Sequence, residues 1–169
     1  MRALLLSLSF ASLLLCGGIF GFFYAWICST MWGLDALDPR IAIQAMQGMN
    51  ASVRNAVFAP AFFGTPVTLL VTGALALATR HRTSGILFLA AGAVYALGGF
   101  ALTVMINVPM NLDLATVDPT LDLDTARTVW AAYSPRWQVW NITRTVFSGI
   151  ALLLCGVGLM TLHRVPRAA

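Results

Sequence analysis

Two short polar stretches stand at the ends of apolar runs, and they are where this chain could do chemistry. Asn107-Val108-Pro109-Met110-Asn111 closes the third run, and Trp137-Gln138-Val139-Trp140-Asn141-Ile142-Thr143-Arg144 opens the fourth. Trp137, Asn141 and Arg144 are spaced i, i+4, i+7 and so share one helical face. Trp140 and Arg144 are likewise four apart. Counting back from His163 at about 1.5 Å per residue, Arg144 lies about 28 Å along the helix axis, near the edge of a bilayer's hydrocarbon core. Polar and ionisable groups at that depth face a bundle interior and mark a site. A guanidinium with the carboxamides of Asn107, Asn111 and Asn141 would hold a ligand headgroup, Arg144 pairing with an anion such as phosphate. The architectural alternative is that Trp137 and Trp140 form an interfacial aromatic belt, Arg144 snorkels to the headgroups and Asn141 bridges helices.

Other chemistry has little to work with. His81 and His163 fall in connections, away from any expected pocket. Cys16, Cys28 and Cys155 lie in apolar runs without Cys-x-x-Cys spacing, where a free thiol behaves as a small hydrophobe. Met46 and Met49 are close together, but core filling accounts for them. No phosphate-binding glycine loop and no Ser-His-Asp set is visible. The sequence therefore predicts no metal and no cofactor. Asp113 and Asp35 are the carboxylates that could stand nearest the polar stretches.

The elements that must position these residues are membrane helices. Of the 169 residues, 59% are hydrophobic and 9% charged, whereas about a quarter of a soluble domain is charged. No charge falls between Arg2 and Asp35, between Arg54 and Arg80, or between Arg82 and Asp113. About 20 apolar residues cross the hydrocarbon as a helix. The expected fold is all-α: a single domain over 1–169, a transmembrane four-helix bundle with helices at about 4–32, 57–79, 84–107 and 137–162. Ile43, Met46, Met49 and Val53 recur at helical spacing beside Gln44, Gln47, Ala51 and Arg54, which predicts an amphipathic helix in the first long connection. Asp122 or Asp124 is expected to cap a short helix running to Tyr133 in the second.

All ten basic residues are Arg and all six acidic ones Asp, the usage expected of a GC-rich bacterial gene. Scattered arginines exclude a nucleic-acid stripe. Arg2, Arg80, Arg82, Arg164 and Arg167 flank the termini and the middle connection, while the aspartates occupy the other two. The positive-inside rule then predicts a multi-pass protein of the bacterial plasma membrane with both termini cytoplasmic. The first apolar run continues too far to be a cleaved signal peptide. Gly17 and Gly21 form a small-xxx-small pair suited to helix packing or to a homo-oligomer contact.

At these residues the chain resembles the DUF1772 family of small membrane proteins, which includes the anthrone oxygenases. The resemblance is carried by Asn107-x-Pro109-x-Asn111, by Trp130 and Tyr133, by Trp137-x-x-Trp140-Asn141-x-x-Arg144 and by Met46-Gln47-x-Met49-Asn50, and spans about 20–160. It implies oxidation of an acidic C–H of a flat, anthrone-like aromatic without metal or flavin. On that reading Arg144, Asn141, Asn107 and Asn111 stabilise an enolate or phenolate as an oxyanion hole does. Trp137, Trp140, Gln47, Asn50, Tyr133 and Asp113 then contact the substrate, with a tryptophan stacking on its ring. A non-catalytic protein that binds a lipid, a hydrophobic metabolite or a protein partner is the alternative.

Overall fold

The computed structural model describes residues 1–118 and 120–162; His163, Arg164 and Arg167, used above for topology, lie outside the described residues. Among the described residues there are four helices long and apolar enough to cross a membrane: α1 (Arg2–Asp35), α3 (Phe58–Ala78), α4 (Arg82–Ala115) and α5 (Leu123–Leu162). The shorter α2 (Pro39–Ser52) lies in the first connection. Neighbours run α1–α3–α4–α5 and back to α1, an antiparallel up-and-down bundle. Large apolar side chains such as Leu14, Leu97, Met105 and Leu153 point outward, as a lipid solvent requires. The protein is a multi-pass membrane protein.

The helices run past their expected ends. α4 continues through Pro109 to Ala115, because a wide π turn at Thr103–Asn107 precedes the proline. Proline lacks an N–H and crowds the carbonyl four residues back, and a local π turn is one way a helix accommodates such a mismatch. The short helix expected to end at Tyr133 is present and continuous with the fourth span through Pro135, giving one helix of 40 residues. In α3, Pro66 frees the carbonyl of Phe62, and the Tyr95 hydroxyl donates to that carbonyl at 3.0 Å, so a neighbouring helix satisfies the freed group.

α3 and α4 approach most closely at Gly73 and Gly85. A Cβ at either would lie 3.0 Å from the other's carbonyl oxygen. Their hairpin closes on Arg80 in the left-handed region (φ 64°), with His81 N–H donating to Ala76 and Arg80 N–H to Leu77, a Schellman turn in which glycine is usual. Ser12 meets Thr72 at 3.1 Å and Ser84 meets Thr161 at 2.8 Å, polar ties between spans. Gly17 and Gly21 take no part in this packing: a Cβ at either would meet nothing within 4 Å.

α2 covers the bundle end that carries the long connections. Ala42, Ile43 and Met46 are fully buried against Trp130, Tyr133 and Trp137, as the amphipathic stripe anticipates. Asp38 caps its start, accepting from Arg40 N–H at 3.0 Å. The Arg40 guanidinium, 2.7 Å away, and that backbone bond hold the Asp38 carboxyl down at about 2. A lowered folded pKa means the cap is fully present above the ordinary carboxylate range and is lost as pH falls toward 2.

Candidate functional site

A cavity of about 590 Å³ opens between the two packed clusters of the bundle, within the range of small-molecule sites. Seven aromatic side chains line it. α1 supplies Phe22, Phe23 and Trp26, and α3 supplies Phe58, Phe62 and Phe63. The remainder comes from Ala59 of α3, Thr103, Val104, Val108 and Asn111 of α4, Trp137 and Arg144 of α5, and Met49, Asn50, Val53, Arg54, Asn55 and Ala56 around the end of α2. Phe63 and Val104 line it and are also exposed, so the cavity reaches the lipid-facing surface between α3 and α4. There Thr103–Asn107 packs chiefly on α5.

Arg144 is the buried charge of this cavity, 5% exposed. Its Nε donates to Asn141 Oδ1 at 2.9 Å, and Nη1 to Thr103 Oγ1 at 3.3 Å. The guanidinium carbon lies 4.3 Å from the Phe23 ring centroid and 5.1 Å from that of Trp137, both within cation–π range. Asn141 is locked in turn, its Nδ2 donating to the Phe23 carbonyl at 3.1 Å. Two of the five guanidinium donors are thus used. Among the described residues Arg144 has no carboxylate partner, and no Asp lines the cavity. A buried cation without a counter-ion is costly; an anionic ligand would neutralise it.

Asn111 lines the same cavity. Its Oδ1 accepts from Tyr133 Oη at 2.9 Å and Trp137 Nε1 at 2.8 Å. That leaves the amide hydrogens of Asn111 as its free donors. Asn107, one turn earlier, is fully buried, and neither its Oδ1 nor its Nδ2 has a protein partner. Asn50 lines the cavity, and its buried Nδ2 is also unpartnered.

The expected residues therefore divide. Arg144, Asn111, Trp137 and Asn50 line the cavity; Asn141 and Tyr133 stand directly behind them; Asn107 is buried beside Thr103 on α4. Trp140, Gln47 and Asp113 do not line it. Asp113 is exposed. Gln47 is a strut: its Nε2 donates to the carbonyls of Leu114 and Val117, both at 2.8 Å, fastening α2 to the end of α4. Gln47→Leu is expected to release α2, because two partly buried hydrogen bonds contribute on the order of 1–2 kcal/mol. Amide exchange across α2 should rise about tenfold, and unchanged protection by exchange mass spectrometry would show that Gln47 carries no such load.

Asp35, the other carboxylate weighed from sequence, accepts from Trp130 Nε1 at 2.9 Å, Ser134 Oγ at 2.7 Å and Gln138 Nε2 at 2.9 Å. It ties α1 to α5 and does not line the cavity. Sequence reasoning missed Phe22, Trp26, Phe58, Phe62 and Thr103. Aromatic pairs four apart, Phe22 with Trp26 and Phe58 with Phe62, were the available signal, with Thr103 four residues before Asn107.

Fold and site together define a class: a four-span membrane protein with an aromatic-walled cavity and one buried, uncompensated cation. The family model for anthrone oxygenase matches residues 55–154, more than half of the chain, and the chain belongs to that family. The match takes in α3, α4 and most of α5, with Arg144, Asn141, Asn111 and Trp137; it leaves out α1 and α2, including Met46 to Asn50. No curated protein and no solved structure matches the chain.

Proposed function

We propose that this protein oxidises a flat, anthrone-like aromatic with molecular oxygen in the Arg144 cavity. The observation that carries the reading is the buried guanidinium facing an aromatic-walled space with no carboxylate. A neutral hydrocarbon gives Arg144 nothing to pair with, whereas an enolate or phenolate oxygen does. Pairing with a fixed cation in a low-dielectric site makes the bound carbon acid more acidic, lowering its pKa, by stabilising its anion. Arg144 and the Asn111 amide serve as the oxyanion donors, Asn141 and Thr103 position the guanidinium, and the aromatic walls hold the ring system.

The chemistry then balances without a further reactant. The methylene proton leaves to water, and the carbanion transfers one electron to oxygen. The resulting radical and superoxide combine and, on taking up a proton, give a hydroperoxide at that carbon. Loss of the remaining hydrogen with cleavage of the O–O bond gives the quinone carbonyl and one water. No cavity residue is offered as the base, since anion stabilisation makes solvent sufficient.

The end with the termini and the middle connection carries five arginines (Arg2, Arg80, Arg82, Arg164 and Arg167) against four (Arg40, Arg54, Arg127 and Arg136) at the other, an excess that favours cytoplasmic termini; the membrane we assign is a bacterial plasma membrane. The lack of a lining base favours one alternative, a carrier that binds the same anionic aromatic without turnover. Oxygen uptake by the purified protein in lipid nanodiscs with anthrone decides between them. The expected result is one oxygen consumed per quinone formed, well above the spontaneous rate. Binding with no acceleration would leave the carrier.

A further inference from the structure

We propose that the ligand reaches Arg144 sideways from the bilayer, through a slot between α3 and α4, and that it enters as a neutral, ionisable fused-ring aromatic dissolved in the lipid. This rests on the aromatic-anion reading of the Arg144 site and names the form in which its substrate arrives. The register of the α3–α4 hairpin locates the slot. Gly73 meets Gly85, and a Cβ on Gly92 would lie 3.0 Å from Leu70 Cδ2 and 3.4 Å from Leu69 Cβ. The Phe100 ring centroid lies 5.1 Å from that of Phe62 and 5.7 Å from that of Phe63. One further turn brings Val104 opposite Ala59, and the next brings Val108 opposite Asn55. All four line the cavity. The hairpin therefore stays closed as far as the contact of Phe63 with Phe100, and beyond it the space between the two helices is the cavity.

That opening faces lipid. α3 and α4 are adjacent in the ring of spans, so a gap between them leads outward from the bundle. Phe63, 56% exposed, and Val104, 44% exposed, both line the cavity and stand at its edge. Counted from Arg80 at about 1.5 Å per residue, Phe63 lies about 26 Å along the bundle, inside a hydrocarbon layer about 30 Å thick and level with Arg144. Arg54, Asn55 and Ala56, the exposed lining residues of the connection, border the same opening where it leaves the hydrocarbon. A neutral fused-ring aromatic concentrates in the bilayer, whereas its anion is costly there. The neutral form thus passes between Phe63 and Val104, ionises against Arg144 and releases its proton to water at the edge near Asn55.

The test measures exchange of 2-hydroxyanthracene, which lacks the anthrone methylene and reports through its own emission, with the protein in nanodiscs. Equilibrium titration gives Kd, and stopped-flow dilution into an excess of empty vesicles gives the rate of release. Val104→Phe narrows the slot and should slow release about tenfold while Kd stays within about twofold, because a gate changes entry and exit together. Val104→Ala should speed release. Ala56→Phe narrows the aqueous edge and should slow release less than Val104→Phe does. The reverse order overturns the proposal in favour of an aqueous entrance. Native-like release from both Val104 variants also overturns it, as does a change in rate matched by an equal change in Kd, which makes Val104 a wall contact. So does native mass spectrometry that finds a phospholipid held by the native protein and lost from Val104→Phe, since an acyl chain then fills the slot. Slot-dependent exchange without oxygen uptake on anthrone ends the oxygenase reading and keeps the portal; anthrone turnover with slot-independent exchange does the reverse. A probe that does not bind at all removes both.

Discussion

Arg144→Met should abolish turnover while leaving the protein as stable as before or more so. Both halves follow from the same burial. The guanidinium is 5% exposed and has no carboxylate partner among the described residues, so the native state keeps a charge in a low-dielectric site at a cost. Methionine keeps an unbranched stem to pack on Phe23 and Trp137 and removes that charge. Asn141 Oδ1 loses its donor, a partial offset of about 1 kcal/mol. Loss of one oxyanion donor lowers kcat by about two to three orders of magnitude in known hydrolases, and loss of the charge as well should reach the upper end. Arg144→Lys should recover part of the rate, because it restores charge without the forked geometry that engages Asn141 and Thr103. Thermal unfolding and anthrone-dependent oxygen uptake, measured on one preparation, check both halves. A variant that melts far below the native protein would make Arg144 a structural strut, and full turnover in a folded variant would remove it from the mechanism.

Gly98→Ala is the second large effect, and it falls on packing. A Cβ there would lie 2.0 Å from Phe147 Cγ and 2.5 Å from Phe147 Cβ. A ring tip can rotate away; a Cβ moves only with its backbone. α4 and α5 must therefore part by a fraction of an ångström at this level. Overpacking of this kind costs about 1–3 kcal/mol, a fall in Tm of roughly 5 °C for a chain of this size. The strain also reaches the site. Phe147 is three residues beyond Arg144, and Gly99 accepts from the Thr103 hydroxyl at 2.6 Å, the same hydroxyl that receives Arg144. Activity should fall with stability. Gly17→Ala is the control, with open space around its Cβ and no expected change in Tm. Equal behaviour of the two variants in a thermal-shift assay would mean the close approach at Gly98 does not govern packing.

Much of the architecture was legible in the residues. The four spans follow from hydropathy, which sums over neighbours in the chain and needs no partner. The stripe Ile43, Met46, Met49 marked α2 for the same reason. The polar face Trp137, Asn141, Arg144 was readable because α5 is regular there, and the three do share one side. Helix ends were less legible. Pro109 and Pro135 suggest breaks, but α4 absorbs the first with a π turn and α5 runs through the second.

What the sequence by itself determined is the class: a membrane helix bundle carrying an arginine and carboxamides near one end. Tertiary structure alone decided which groups share a cavity. Wide turns at Trp26–Thr30 and Thr103–Asn107 change the register of α1 and α4 in a way that a 3.6-residue period does not anticipate. The gap itself exists because α3 and α4 pack tightly at Gly73 and Gly85 and separate toward Phe63 and Val104. That separation admits Arg54 and Phe58 to the wall, while Gln47 and Asp35 are drawn off as struts between helices. A cavity is a space between elements, so its lining depends on the distances at which distant parts of the chain come to rest, and no local run of residues carries that information.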